Sequence, residues 1–445
     1  MSPNALVVGP ATVFPNVPGA GLVHNAGVLC MDGLVREIAP HAQLLREHPE
    51  ADRLDAAGGL ILPGLINAHH HLYSTFARGM PIPPGTALHD FPHVLEGIWW
   101  RLDRALDLEA VEAGAWPPAL DCLRHGTTTL VDHHASPNAI RGSLDALERV
   151  CARAGLRGAL CYELTDRNGA DGARLGIEEN AAFAASHRGS THATGLIGLH
   201  ASFTVSNETL AEAARAIPGD VPIHVHAAED IADVVRTQEQ FGCGIVERLE
   251  RAGLLRPRSV LVHGVHLSEE DLLRIARAGA WVVHNPESNA NNAVGHFDLL
   301  RAMELGVPVA LGTDGMASSM LRAAKSAYLM IRNARRDPTV GYSLPRTLLF
   351  EANVRLAREL FGEPLIGCLA PGAPADLCVV EYDPPTPMND SNFDGHFTFG
   401  VTESPVLATV SGGVVRMDRG KFPGIDKAEL QRRVLAAARA TWARM

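Results

Sequence analysis

The stretch "LILPGLINAHHHLYSTFARGM" (60–80) puts three consecutive histidines, His69, His70 and His71, at the end of an apolar run. A buried strand gains little from imidazoles, so their presence there asks for chemistry. Side chains alternate along a strand, which places His69 and His71 on one face and His70 on the other. Two imidazoles on one face at a strand end suit a metal ion; a histidine-rich surface turn is the plain alternative. Similar residues recur where later apolar runs end. His200 stands in "GLIGLHA", and His224 and His226 in "PIHVHAA", with Glu229 three residues beyond His226. His263 stands in "SVLVHGV", His284 and Asn285 in "AWVVHNP", and Asp314 in "LGTDG". Any one of them could be a hydrogen-bonded core or rim residue, but their shared position at run ends points to a metal site. Imidazoles with a carboxylate suit Zn2+, with Fe2+ as the alternative, because N/O ligands select weakly between the two. The chemistry expected of such a site is hydrolytic attack by activated water.

The elements that must position these groups are eight apolar runs, at 59–66, 127–134, 157–164, 195–201, 222–228, 259–265, 280–286 and 308–315. Amphipathic stretches such as "ERVCARAG" and "EEDLLRIARAG" lie between them, most closing on a helix-ending Gly. Eight strands alternating with helices predict an α/β fold, a (β/α)8 TIM-like barrel over 61–366. A doubly wound open sheet is the alternative, and its Gly-rich phosphate fingerprint is missing after the first strand. Catalytic groups in such a barrel collect at the C-terminal strand ends, which is where these residues fall. Residues 1–60 read as short strands and turns, with a helix at "HAQLLREHPEA". After residue 366 strands return, in "GAPADLCVVEYD" and "HFTFGVTESPVLATVSGGVVRM". The two flanks, 1–60 and 367–425, are expected to pair into a small composite β-sandwich domain, and 426–445 reads as an amphipathic helix.

A net charge of −11 argues against nucleic acid or an anionic membrane as the main partner. Seven scattered cysteines with no C-x-x-C pair argue against a disulfide framework or a thiolate zinc site. The N-terminal "MSPNALVVGPATVFPN" lacks a basic segment followed by a long apolar one, and no run is long enough to span a bilayer. A reducing cytoplasm is the compartment expected.

These strings together resemble the amidohydrolase superfamily. "PGLINAHHH" is similar to its first-strand P-G-x-[VIL]-x-x-H-x-H motif and "HVHAAE" to its fifth-strand H-x-x-E; "LVHGVHL", "HNPESN" and "LGTDG" resemble its sixth-, seventh- and eighth-strand motifs. The N-terminal flank and "GCLAPGAPADLCVVE" resemble the small domain beside its barrel, so the likeness covers essentially the whole chain. Within the superfamily the chain is most similar to the mononuclear deaminase and chlorohydrolase branch. "STFARGM", "IWWRLDRALD", "CYELTDRNG" and "HNPESNANNAVG" look most like SsnA-type aminohydrolases.

The resemblance implies roles. His69, His71, His226 and Asp314 match the metal ligands, Glu229 and His263 the proton-transfer residues, and His200 a histidine that touches substrate. Asp314 is expected to accept the water proton, Glu229 to carry a proton to the substrate nitrogen, and His263 to polarise the nucleophile. The fourth run lacks the lysine that bridges two metals in binuclear members, so one divalent ion is expected, with Glu163 as the residue that could overturn this. Substrate contacts are expected from Tyr73, Ser74 and Arg78, from the "HDFPHVLEGIWW" insertion (His89, Asp90, Trp99), from Glu163 with Arg167, and from Glu287 and Asn289. Trp99 and Trp100 could equally be packing, and Arg78 a structural ion pair. The implied activity is release of ammonia from an amino-substituted nitrogen heterocycle of purine, pterin or triazine type. A cyclic amide or ureide hydrolase is the alternative, a non-catalytic metal protein would have no use for Glu229, and a homodimer is the assembly expected.

Overall fold

A computed structural model describes residues 5–445; the first four residues of the expected N-terminal flank lie outside it. Eight parallel strand positions follow one another in chain order. Strands one to three are Leu65–His70, Thr127–His134 and Arg157–Tyr162, and strand four is split into Ala193–Gly195 and Ile197–Ala201. Strands five to eight are Ile223–Ala227, Val260–His263, Trp281–His284 and Val309–Leu311. They form a four-stranded and a five-stranded sheet, linked by parallel bridges between Leu164 and Leu199 and between His70 and Asp314. Small and branched residues such as Ile66, Val131, Ala159, Val262 and Ala310 make a buried cluster within the strands. Helices between them bury the opposite faces, and Gly155 (φ 85°) ends the helix Ser143–Ala154 in the left-handed conformation that glycine tolerates best.

Strand one begins later than the apolar run at 59–66 suggests. Leu60–Pro63 belongs to a different sheet, and the chain passes from one sheet to the other at Gly64, where a Cβ would meet Thr128 Oγ1 at 2.2 Å. That other sheet has eight strands and joins both flanks. Its order is Val414–Asp418, Val406–Ser411, Leu377–Val380, Leu60–Pro63, Ala5–Val13, Val23–Met31, Leu34–Pro40, with Asp52–Asp55 beside Ala5–Val13. Arg157 of strand three reaches into it, its guanidinium 3.1 Å from the Asp376 carboxylate, and both side chains are nearly buried. "HFTFG" is helical rather than extended: Phe393 and Phe397, one helical turn apart, are buried against Phe14 and Phe350 in the helix Phe393–Phe399. Packing of aromatics at that spacing overrides their strand propensity.

Between strands one and two the chain runs through Leu72–Ala77 and a series of short helices before the long helix Leu108–Arg124. The C-terminal helix Lys427–Ala443 braces this excursion: Trp442 Nε1 donates to the Phe76 carbonyl at 2.9 Å and Arg444 Nε to that of Ala105 at 2.7 Å. All seven cysteines are free and buried. Among the described residues no helix is long and apolar enough to cross a membrane.

Candidate active site

Groups from strands one, five, six and eight converge at one end of the strands. Asp314 Oδ1 lies 3.5 Å from His69 Nε2 and 3.1 Å from His71 Nε2. His226 Nε2 is 3.3 Å from His71 Nε2, and His263 Nε2 is 3.8 Å from Asp314 Oδ2. Donor atoms of His69, His71 and Asp314 all lie within 4.8 Å of one another, as do those of His69, His226 and His263. His69 Nε2 is buried without a hydrogen-bond partner, a costly arrangement unless another group completes it. Imidazole nitrogens and a carboxylate gathered around that orphaned nitrogen fit a divalent cation. The far ring nitrogens support the same reading. His71 Nδ1 donates to the His133 carbonyl at 2.6 Å and His226 Nδ1 to the His200 carbonyl at 2.9 Å, which leaves both Nε2 atoms free to ligate. His70 lies across the strand, its Nε2 3.1 Å from Ser318 Oγ, and burial pushes its pKa down to about 3.

Close backbone packing sets the cluster. The Thr313 and Asp314 amides donate to the His69 carbonyl at 3.1 and 3.0 Å. Gly312 permits this approach, since a Cβ there would meet Asn285 Oδ1 at 2.5 Å and His69 Cβ at 2.8 Å. His263 (φ 73°) and Asp314 (φ 56°) both hold left-handed backbone conformations. Such residues cost of order 1–3 kcal/mol each and persist where surrounding structure enforces them.

Electrostatics divide the titratable groups. Burial raises the Asp314 carboxyl, but hydrogen bonds and charge from His69 and His71 outweigh it and hold the pKa well below the usual range. Burial lowers His71, and Asp314 outweighs that too, raising it to about 9. Glu229 sits three residues beyond His226, its Oε2 3.4 Å from His263 Nε2, while Asn292 donates to its Oε1 at 3.1 Å. Burial lifts its pKa from 4.5 to about 6. His263 Nδ1 is hydrogen-bonded to Asn289 Oδ1 at 2.8 Å, which turns Nε2 toward Glu229 and Asp314.

A cavity of about 290 Å³ opens over the cluster, its floor formed by His71, His226, Glu229, His263 and Asp314. Tyr73, Ser74, Arg78, Trp99, Glu163 and His200 all line it, with Arg78 exposed at the mouth. Arg167 is 2.5 Å from Glu163 Oε1 and stacks on Trp100, 4.3 Å from the ring centre. Thr204 Oγ1 is 2.8 Å from His200 Nδ1 and donates to the Ala201 carbonyl, so it accepts from the ring and leaves His200 Nε2 as an acceptor. Four expected contacts lie elsewhere. Asn289 is buried behind His263, Glu287 pairs with Arg322 at 2.8 Å, and Asp90 is occupied by His93 at 2.5 Å, with His89 exposed beside it.

Sequence reasoning passed over the end of strand two. His133 Nδ1 lies 2.9 Å from His224 Nδ1, whose Nε2 is 3.2 Å from His69 Nδ1, and Asp132 Oδ1 accepts the Leu72 amide at 2.6 Å. "TTTLVDHH" carried the signal, an acid and two histidines closing an apolar run. Ser288, which donates to Asp314 Oδ2 at 2.5 Å, and Asp103, a buried carboxyl in the cavity wall, had no such pattern.

Residues 60–415 match the amidohydrolase family. The 5-methylthioadenosine/S-adenosylhomocysteine deaminase of Nitratidesulfovibrio vulgaris is 30% identical over 414 residues, covering 91% of this chain and 90% of the relative. The 8-oxoguanine deaminase of Pseudomonas aeruginosa is 28% identical, covering 94% and 96%. An adenosine deaminase from Xanthomonas campestris, crystallised with bound zinc, shares the fold with a TM-score of 0.82 at 22% identity, covering 98% of each chain.

Proposed function

We propose, from the premise that the chain belongs to the amidohydrolase family, that it is a metal-dependent deaminase of amino-substituted nitrogen heterocycles. The observation that carries this is Glu229 paired with His263 on the cavity floor beside the histidine–aspartate cluster. One cation, Zn2+ in our reading with Fe2+ as the alternative, would be held by His69, His71, His226 and Asp314. Bound there, it supplies the Lewis acidity that makes water a nucleophile at neutral pH.

The chain's own groups divide the remaining work. Asp314 accepts the proton that water gives up. Glu229, its pKa lifted to about 6, gives its proton to the ring nitrogen; the proton Asp314 took from water then goes to the departing amine, and the new O–H returns one to Glu229 as the carbonyl forms. His263 donates from Nδ1 to Asn289 Oδ1, which leaves Nε2 as an acceptor turned toward the cluster, placed to hold and polarise the attacking water. His200 offers an acceptor nitrogen to a substrate N–H, and Trp99, Trp100, Phe91 and Phe203 supply flat apolar walls for a ring. Relatives named for 8-oxoguanine and for adenosine derivatives support a purine-like substrate. We further read 64–366 as the barrel domain, the N-terminal flank through Pro63 with 367–425 as the composite unit and 426–445 as the bracing helix, in a cytoplasmic homodimer. Seven free cysteines support the compartment.

Ammonia release from guanine, 8-oxoguanine, 5-methylthioadenosine and aminotriazines, assayed beside lactams and cyclic ureides, tests the activity. Ammonia from at least one aminated ring is expected. Ring-opened products alone, with no ammonia, would establish the cyclic amide hydrolase instead.

A further inference from the structure

We propose that His133 and His224, hydrogen-bonded in a row and biased by the charge of Glu163 at its far end, form a relay that sets the tautomer of His69 and thereby the affinity of the site for its cation. This rests on the metal-site reading above. His71 and His226 fix their tautomers on backbone carbonyls, whereas His69 fixes its own through side chains alone. His69 Nδ1 is 3.2 Å from His224 Nε2, and His224 Nδ1 is 2.9 Å from His133 Nδ1. The three rings are fully buried in a row, where neutral forms are favoured.

Three neutral imidazoles joined by two hydrogen bonds have two self-consistent arrangements, one running each way. In the first, His69 donates from Nδ1, His224 accepts at Nε2 and donates from Nδ1, and His133 accepts at Nδ1. His133 then carries its proton on Nε2, and His69 Nε2 is bare and able to ligate. In the second, every bond reverses, and a proton on His69 Nε2 blocks ligation.

The far end of the row decides between them. His133 Nε2 makes no hydrogen bond and lies 3.4 Å from Glu163 Oε2, close enough for the carboxylate to act on it by charge. A carboxylate only accepts, so it stabilises a proton on that nitrogen and repels a lone pair there. Arg167, bonded to the other oxygen of Glu163, keeps the carboxylate charged. Cys161 Sγ, 3.5 Å from His133 Nδ1, also lies 3.5 Å from the Asp132 carbonyl, to which its weak proton can go, leaving the nitrogen to His224. The direction Glu163 selects is the one that frees His69 Nε2. Because Glu163 also lines the cavity, whatever a substrate does to the Glu163–Arg167 pair is felt at the metal ligand.

Zinc dissociation constants by chelator competition, with ion counts per chain, test the relay on the purified holoprotein. Glu163→Gln keeps the shape, but its amide can donate to His133 Nε2 and favour the reversed row. A binding loss of about 10–100-fold with one ion still bound at saturation is expected, the range for partners that orient a ligand. His224→Leu should lose affinity similarly, whereas His224→Gln, able to accept from His69 and donate to His133, should stay within about threefold of wild type. Glu163→Gln binding zinc as tightly as wild type overturns the relay. So does a fall from two ions to one, which would make Glu163 a ligand. Should Glu163→Gln fail to fold, equal affinities for the two His224 variants overturn it. A wild-type protein that binds no zinc refutes the metal reading itself, and the relay with it.

Discussion

Glu229→Gln should separate catalysis from stability in opposite directions. The carboxyl is buried, and its pKa is raised from 4.5 to about 6 by that burial. An acid whose pKa rises on folding is destabilising when ionised. The penalty is absent below about pH 4.5, where folded and unfolded chains are both protonated, grows as the pH rises through 6, and is full above it. At 1.36 kcal/mol per pH unit, the rise is worth about 2 kcal/mol. Glutamine keeps the acceptor oxygen for Asn292 and cannot ionise. In chelator-treated protein, where no cation charge offsets the carboxylate, urea unfolding should therefore show the variant about 2 kcal/mol more stable at pH 7.5, with the gain vanishing near pH 4.5. Ammonia release should meanwhile fall by about 10²–10⁴-fold with zinc content unchanged. A gain that persists at pH 4.5, or no gain at pH 7.5, refutes the burial argument. Turnover within a few-fold of wild type removes Glu229 from proton transfer.

Metal analysis should find the ion lost from His69→Ala and His71→Ala but retained in His70→Ala, whose ring faces Ser318; retention by either of the first two sinks the ligand assignment. Arg157→Ala leaves Asp376 charged and nearly buried, and should cost about 3–5 kcal/mol in denaturant unfolding. A loss below about 1 kcal/mol would show the pair to be solvated. Trp100→Ala removes the ring on which Arg167 stacks and should raise KM about tenfold with kcat within about threefold; an unchanged KM would make Trp100 packing alone.

How legible the site was depends on which physical rule governs each residue. Strand alternation separates His69 and His71 from His70 in the sequence, because the period of two is a property of the backbone. Glu229 is legible for a related reason: the turn after strand five is short, so an acid three residues past His226 stays close to it. The partnership of His263 with Asn289 was not readable, since it depends on where the short helix Pro286–Asn291 begins and which way its face turns. His284 looked like a ligand by position, yet both its ring nitrogens are buried without partners and it lies outside the cavity wall. His133 was legible and overlooked. The break at Gly64 was not, because one continuous apolar run reads as one strand until the close approach of Thr128, which only a glycine admits there, is known.

Leu60–Pro63 pairs with Leu377–Val380, residue 60 opposite 380 and 63 opposite 377. At a synthesis rate of roughly 5–20 residues per second, the partner strand leaves the ribosome about 15–60 s after the first one does. Throughout that interval an all-apolar tetrapeptide, with a bare edge beside the N-terminal strands, is open to any other nascent chain. The histidines that begin the catalytic cluster follow immediately behind it, on a strand whose own partner, Thr127–His134, is made long before. Slowing translation between codons 64 and 376 should therefore lower soluble yield far more than slowing it after codon 380, even though the mature protein is identical.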